Sequence, residues 1–262
     1  MPMKISIVTI VYNDVTHIEA TLLNVIQQTA FNQIEYIVVD GASNDGTSEV
    51  IQKYLSRIDK YICEKDSGIY NAMNKGLHVA TGDYVIFINC GDRLSSNTTI
   101  IDVINAIGEK RYDVVYGSYK EIKANGITSP VIPCRNHRKI WYGPIASHQS
   151  ILYRLEFLRE HNLTYDESYK IAADYKITAE AIFKSKSILK LDLCVSDFDV
   201  SGVSSTNQNR GLQEANRIRR EVFGWGLTRI YLLTLVLLAA RYMKIYLYPL
   251  YTLLRYGNKS TL

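Results

Sequence analysis

Ile5-Ser-Ile-Val-Thr-Ile-Val11 and Ile34-Glu-Tyr-Ile-Val-Val-Asp40 decide the fold. Both runs are rich in β-branched and apolar residues with almost no polar alternation, the composition of strands buried on both faces. Between them Val15, Ile18, Leu22, Val25 and Ile26 recur at helical spacing behind a candidate cap at Asn13 or Asp14. Strand, helix and strand make a βαβ unit, and such units build a parallel sheet with right-handed crossovers.

The same alternation continues downstream. The turn Gly41-Ala-Ser-Asn-Asp-Gly-Thr47 leads into a helix carrying Val50, Ile51, Tyr54, Leu55 and Ile58 on one side. Ile69, Ala72, Met73, Gly76, Leu77 and Ala80 predict an amphipathic helix over Gly68–Ala80, ended by Gly82. Tyr84–Ile88 is a further apolar strand running straight into Asn89-Cys-Gly-Asp92. In parallel sheets ligands bind beyond the carboxyl ends of the strands, which is where Asp40 and Asp92 fall. Between 113 and 206 the pattern mixes a strand at Val114–Tyr119, a loop around Pro130–Pro133, an apolar strand at Ser150–Tyr153 and a helix around Ala172–Ser185, read as the second half of the same domain.

Composition narrows the function classes. The 262 residues are 47% hydrophobic and 21% charged, enough for a large core and unlike a disordered chain. Net charge is +4, but residues 207–262 hold nine Lys/Arg against two Asp/Glu, leaving −3 for residues 1–206. An acidic main body disfavours nucleic acid as a partner. Cys63, Cys90, Cys134 and Cys194 form no C-x-x-C pair, so neither a zinc cluster nor a disulfide framework is indicated, and a reducing cytoplasm fits. Ile5–Val11 is too short for a signal peptide, and Ile230–Ala240, stopped by Arg241, falls below the ~20 residues of a spanning helix. The chain therefore reads as an α/β domain over 1–206 with a basic, aromatic helical tail over 207–262.

Several motifs now fall into order: Thr9-Ile-Val-Tyr-Asn13, Val38-Val-Asp-Gly41, Asp66-Ser-Gly-Ile-Tyr-Asn-Ala-Met-Asn-Lys-Gly76, Ala80-Thr-Gly-Asp-Tyr84, Asn89-Cys-Gly-Asp92, His148-Gln149 and Ala172-Ala-Asp-Tyr175. In this order and spacing they resemble family 2 glycosyltransferases over roughly residues 4–206. The resemblance implies a GT-A fold, a mostly parallel central sheet flanked by helices, here with a C-terminal helical extension. It also implies transfer of a sugar from a nucleoside diphosphate to an acceptor hydroxyl.

Such a donor carries a diphosphate whose charge must be neutralised as the sugar departs, and Mn²⁺ or Mg²⁺ does this with few protein carboxylates. The resemblance assigns that metal to Asp92. The family's Asp-x-Asp pattern is altered here, with Asn89 and Gly91 where acidic residues are often found, which leaves Asp92 the sole strong ligand. By the same matching Thr9 and Tyr12 line the base and ribose pocket, Asp40 accepts from the base, Asp66 lies near the nucleotide, Lys75 reaches phosphate, and Asn89 and His148 contact the donor. Asp174 is the base that takes the acceptor proton, since a poor hydroxyl nucleophile needs one near the anomeric carbon. One base and one displacement imply inversion. Ser201-Gly-Val-Ser204 resembles a loop that closes over the diphosphate. Each residue has a plainer alternative: a turn carboxylate for Asp40 and Asp92, a helix cap for Asp45 and Asp174, a solvated helix face for Lys75, a structural role for His148.

In the tail Leu212, Ala215, Ile218 and Val222 form one stripe beside Arg217, Arg219 and Arg220, and six of the chain's 20 tyrosines fall after residue 207. Cations and tyrosines flanking apolar faces suit a helix lying on an anionic membrane surface, broken at Pro249, which would bring the enzyme to a lipid-linked saccharide acceptor on the cytoplasmic face. The alternative is a helical hairpin packed on the catalytic domain or across a homodimer. The expected reaction is transfer from a UDP-sugar in O-antigen, capsule or exopolysaccharide assembly. The rivals are a sugar-nucleotide nucleotidyltransferase, whose Gly-rich basic loop is replaced by Tyr12-Asn13-Asp14, and a non-catalytic membrane scaffold with a degenerate site.

Overall fold

All seven residues of Ile5–Val11 (β1) are buried, because other strands flank this one and helices cover both faces. The computed structural model describes residues 2–123, 126–200 and 208–246. After β1 come α1 (Ile18–Ile26), β2 (Ile34–Asp40), α2 (Thr47–Gln52), β3 (Lys60–Cys63), α3 (Ile69–Val79) and β4 (Tyr84–Phe87). The chain continues through β5 (Arg93–Leu94), α4 (Thr99–Ile107), β6 (Val114–Ile122), β7 (Ile151–Arg154), α5 (Leu155–Glu160), α6 (Ala173–Lys184) and β8 (Ile188–Asp199). Two further helices are α7 (Gln208–Glu221) and α8 (Leu227–Tyr246).

One sheet runs in the order β3-β2-β1-β4-β7-β6-β8-β5. The first four strands are mutually parallel, as the βαβ reading requires. β7 then runs antiparallel to both β4 and β6, while β8 is parallel to β6 and β5 antiparallel to β8. Alternate residues of the parallel strands serve two layers. Ile5, Ile7, Tyr36, Val38, Ile86 and Ile88 share a core with Ile18, Leu22 and Val25 of α1 and Ile100 and Val103 of α4. Each such aliphatic side chain, fully buried, contributes roughly 1.5–3 kcal/mol. On the other face α3 lies close against β1 because it carries Gly76: a Cβ there would sit 2.4 Å from Val8 Cγ1.

The second helix is shorter than its apolar spacing predicts. It stops at Gln52, and Leu55–Arg57 forms a separate 3-10 turn. The approach to β3 imposes this, since Asp59 is bolted to the middle of β2 by bonds from its N–H to the Tyr36 carbonyl (2.9 Å) and from the Tyr36 N–H to its carboxylate (2.8 Å). β3 itself, four residues at the sheet edge between charges, leaves no sequence pattern long enough to register.

The amino ends of the strands are held by a buried carboxylate. Glu35 accepts from the Ser6 hydroxyl (2.5 Å), Lys60 Nζ (2.8 Å), and the Thr81 N–H (2.7 Å) and hydroxyl (2.6 Å). Burial alone would raise its pKa, but these donors outweigh it and hold the carboxyl at about 2.

The chain divides into two compact units, Met1–Ala215 and Asn216–Leu262. Within the second, Gly224 (φ 64°) ends α7 with its N–H on the Arg220 carbonyl (3.1 Å), an αL cap. Asn216 reaches across to the Thr234 hydroxyl (3.0 Å), and the Arg229 guanidinium lies over the Trp225 ring (3.8 Å). The expected break at Pro249 lies outside the described residues.

Because the folded pKa of Glu35 is depressed, its stabilisation is present above the unfolded value of 4.5 and is lost as pH falls toward 2. Glu35→Gln is expected to cost about 3 kcal/mol at pH 7 by urea denaturation, with the gap from the parent closing below pH 4. A gap independent of pH would contradict this reading.

Candidate active site

The carboxyl ends of β1, β2, β4 and β8 meet at one edge of the sheet, and β7, running the other way, begins there. The turn after β4 is sewn to its neighbours. The Cys90 N–H bonds the Ile10 carbonyl (3.1 Å), the Gly91 N–H bonds the Thr21 hydroxyl (3.1 Å), and that hydroxyl donates to the Asp92 carbonyl (3.2 Å). Gly91 takes φ 91°, a conformation that favours glycine, and so aims Asp92 inward.

Asp92 is only 5% exposed. Gln149 Nε2 donates to Oδ2 (2.5 Å) and the Asp199 N–H to Oδ1 (2.9 Å). Burial is the dominant influence on its acidity. Assisted by the negative charge of Asp199, it overrides those donors and pushes the pKa up to about 7.

His148 is the residue before Gln149 in a 3-10 turn, His148–Ser150, that opens directly into β7. Ser150 anchors this turn in the core through the Ser196 hydroxyl (2.6 Å). Asn89 Nδ2 lies 3.1 Å from His148 Nε2. An amide nitrogen can only donate, which assigns the proton of a neutral ring to Nδ1. Nδ1 faces Asp174 Oδ2 at 3.6 Å. Burial lowers the His148 pKa, and the Asp174 carboxylate offsets that only in part. Asp174 is the second residue of α6, with Ala172 at the cap position, so it is not the helix cap that its sequence context also allowed. Consecutive residues of one turn thus reach Asp92 on one side and Asp174 on the other.

A second group lies at the ends of β1 to β3. Tyr12 is 63% exposed just past β1. A Cβ placed on Gly41 would lie 2.5 Å from Asp66 Oδ2 and 3.1 Å from Tyr12 Cδ2, so Gly41 lets a ring and a carboxylate converge.

The family model described as Glycosyl transferase family 2 matches residues 6–169. The chain belongs to glycosyltransferase family 2. This family 2 glycosyltransferase is 26% identical over 210 residues to the uncharacterized glycosyltransferase Rv1514c of Mycobacterium tuberculosis, the match covering 77% of each. It is 25% identical over 198 residues to TarS of Staphylococcus aureus, a poly(ribitol-phosphate) beta-N-acetylglucosaminyltransferase, covering 71% of this chain but only 34% of TarS. The crystal structure of TarS 1–349 in complex with UDP-GlcNAc superposes with a TM-score of 0.67 at 20% identity, over 92% of this chain and 73% of that one. The mannosyltransferase PcManGT of Pyrobaculum calidifontis, in complex with GDP-Man and Mn²⁺, gives 0.66 at 18% identity, over 86% and 66%. The fold is GT-A, a mixed α/β architecture with a curled central sheet flanked by helices.

Three residues expected in the nucleotide site of the transferase are otherwise engaged. Thr9 is completely enclosed, donating to the Ile88 carbonyl (2.8 Å) beside the Tyr36 hydroxyl, so it lines no pocket. Asp40 is completely enclosed too. It accepts from the Ser43 N–H (2.9 Å) and hydroxyl (2.6 Å), from Ser48 and from Tyr61 (3.1 Å), and so serves as the turn carboxylate rather than offering a free acceptor to a base. Lys75 holds the Lys65 carbonyl (2.7 Å) and Glu64 (3.0 Å), bracing the loop before α3 instead of standing free for phosphate. Asp45 accepts from the Thr47 N–H (3.0 Å) and hydroxyl (2.6 Å), but Gly46 holds the cap position of α2, so Asp45 braces the turn ahead of the helix and is not its cap residue. The loop Ser201–Ser204 lies outside the described residues.

The sequence marked Gln149 only as half of the motif His148-Gln149, without its tie to Asp92, and Asp199 went unread. A glutamine at the threshold of an apolar strand was the available signal, because a buried amide needs polar partners. Asp199 ends a long strand whose register shifts obscure its pattern.

A hard cation would find a sparse oxygen set here. Among the described residues no group of three or more His, Cys, Asp or Glu could hold a metal. Asn89 Oδ1, however, is buried without a hydrogen-bond partner in the turn that carries Asp92. One carboxylate plus one unsatisfied amide oxygen fits a cation that arrives with its diphosphate, not one caged by protein.

The raised pKa of Asp92 carries a stability penalty that is absent below the unfolded value of 3.8 and grows as pH rises through about 7. Asp92→Asn should therefore gain on the parent by roughly 3 kcal/mol between pH 4 and pH 8, measured by denaturation in EDTA. A difference that stays flat with pH would refute the buried-acid assignment.

Proposed function

We propose that this glycosyltransferase is an inverting hexosyltransferase, moving a sugar from a UDP-sugar to a hydroxyl of a lipid-linked saccharide. The synthesis served would be that of O-antigen, capsule or exopolysaccharide, on the inner face of the cytoplasmic membrane. The observation that carries the reading is the His148–Gln149 turn, which reaches Asp92 with one side chain and faces Asp174 with the next. TarS, similar in sequence as well as in fold and solved with UDP-GlcNAc, supports uridine as the donor base.

In this reading Asp174 takes the proton of the acceptor hydroxyl while the hydroxyl oxygen bonds to the anomeric carbon. The bond from that carbon to the diphosphate breaks on the opposite face, so one displacement inverts the centre. Mn²⁺ or Mg²⁺, held by Asp92 and Asn89, would neutralise the departing diphosphate. His148, neutral through burial, offers Nδ1–H toward Asp174 and orients it. Tyr12 and Asp66, converging at Gly41, suit a base and ribose better than the enclosed Thr9 and Asp40.

No helix among the described residues is long and apolar enough to cross a membrane. In α8, Leu227, Tyr231, Leu235, Leu238 and Tyr242 are all exposed and recur at steps of four, four, three and four, one continuous stripe. With +7 in residues 207–262, this stripe supports docking on an anionic bilayer.

Asp174→Asn should lower transfer about 10²–10⁴-fold, followed as UDP release with Mn²⁺ and a panel of UDP-sugars, while UDP affinity stays within about twofold. Full turnover by that variant removes Asp174 from the role, and no UDP release by the parent chain favours the scaffold reading.

Sedimentation with vesicles should show the full chain bound to phosphatidylglycerol and released at 1 M salt, with little bound to phosphatidylcholine. A dimer in solution that ignores both vesicles would favour the homodimer alternative.

A further inference from the structure

Helix α6 begins without a cap of its own. Ala172 stands at the cap position and offers no side-chain acceptor, although every helix start leaves N–H groups in need of partners. The segment that leads into it is held from remote parts of the same unit. Tyr70, on α3, stands near enough for the Asp174 charge to add to the burial that raises its pKa.

Glu214, on α7, does more. Its carboxylate accepts from the backbone N–H groups of Lys170 (3.0 Å), Ile171 (2.9 Å) and Ala172 (2.9 Å), three residues in succession. Arg210 Nε, one helical turn earlier, donates to it at 3.0 Å. Gly211 lies on the same side of α7, where a Cβ would come 3.6 Å from Ile171 Cγ2. Glu214 is 9% exposed. Burial opposes its ionisation, but the backbone donors of Lys170 and Ile171 outweigh that and keep its carboxyl below the ordinary range.

We propose that Glu214 is a positioning residue for sugar transfer: by capturing the backbone of Lys170–Ala172 it sets where Asp174 stands. The inference rests on the reading of Asp174 as the base. Only Ala173 separates the captured segment from Asp174, so a shift of the segment moves the carboxylate with it. A displacement of about 1 Å can cost on the order of 10²-fold in rate without loosening the fold. The capture also ties the base to the helix that follows residues 201–207 in the chain.

The test uses the full chain with Glu214→Ala, Glu214→Gln, which keeps one acceptor oxygen, and Arg210→Gln, which keeps the capture. At a temperature where all are folded, kcat should fall at least about tenfold for Glu214→Ala and less for Glu214→Gln, with donor KM within about twofold and Arg210→Gln near the parent. Amide hydrogen exchange at Lys170, Ile171 and Ala172 should be slow in the parent and fast in Glu214→Ala. An unchanged kcat, or a fall matched by an equal loss of UDP affinity, would overturn the positioning role. Fast exchange at these amides in the parent would overturn the capture itself, whatever the activity. No transfer by the parent with these amides protected would instead sink the functional reading and the positioning role with it, and leave only the capture standing.

Discussion

An antiparallel strand placed between parallel ones begins where its neighbours end. β7 does this between β4 and β6, and its first residues therefore arrive at the edge where β4 delivers Asn89 and Asp92. The rest of the candidate site depends on this arrangement. Without it His148 and Gln149 would sit at the far end of the sheet, Asp92 would lose a buried donor, and Asp174 would face no histidine. Side chains of adjacent residues diverge, so one short turn serves two carboxylates on different elements.

The two edges of the sheet are built to different ends. At the amino edge Glu35 has donors to spare, a carboxylate whose charge stabilises the fold. At the carboxyl edge Asp92 has two good donors and still too little compensation for its burial, so its charge costs stability. A cation or another positive group brought by a ligand would relieve that cost. Residues that work against the fold yet are held by several neighbours are expected where binding or catalysis is the purpose.

Much of this was legible in the sequence, for identifiable reasons. The unbroken β-branched runs of β1 and β2 could only be doubly covered strands, and the α3 periodicity was long enough to stand alone. Ordered motifs marked Asn89, Asp92, His148 and Asp174 as candidates, and the structure brings them close together around one turn. What escaped was tertiary. Ser43 and Ser48, close by in the chain, fit the turn carboxylate that the sequence allowed for Asp40, but nothing local announces that Tyr61, 21 positions on, completes its shell, or that Thr9 bonds the Ile88 carbonyl 79 positions away. β7, β8 and β5 mix directions, so their half of the sheet lacks the regular strand and helix rhythm that made the first half readable. Glu214 was invisible for the same reason: the backbone groups it captures lie 42 to 44 residues earlier.

In the proposed reaction one turn divides two carboxylates between the leaving diphosphate and the incoming hydroxyl. A crystal structure of the chain with UDP and Mn²⁺ tests it most directly. The cation is expected on Asp92 at about 2.0–2.3 Å, the diphosphate beside it, and the Asp174 carboxylate open toward the space the sugar would fill. Nucleotide bound elsewhere on the sheet, or a diphosphate lying against Asp174 itself, would contradict it.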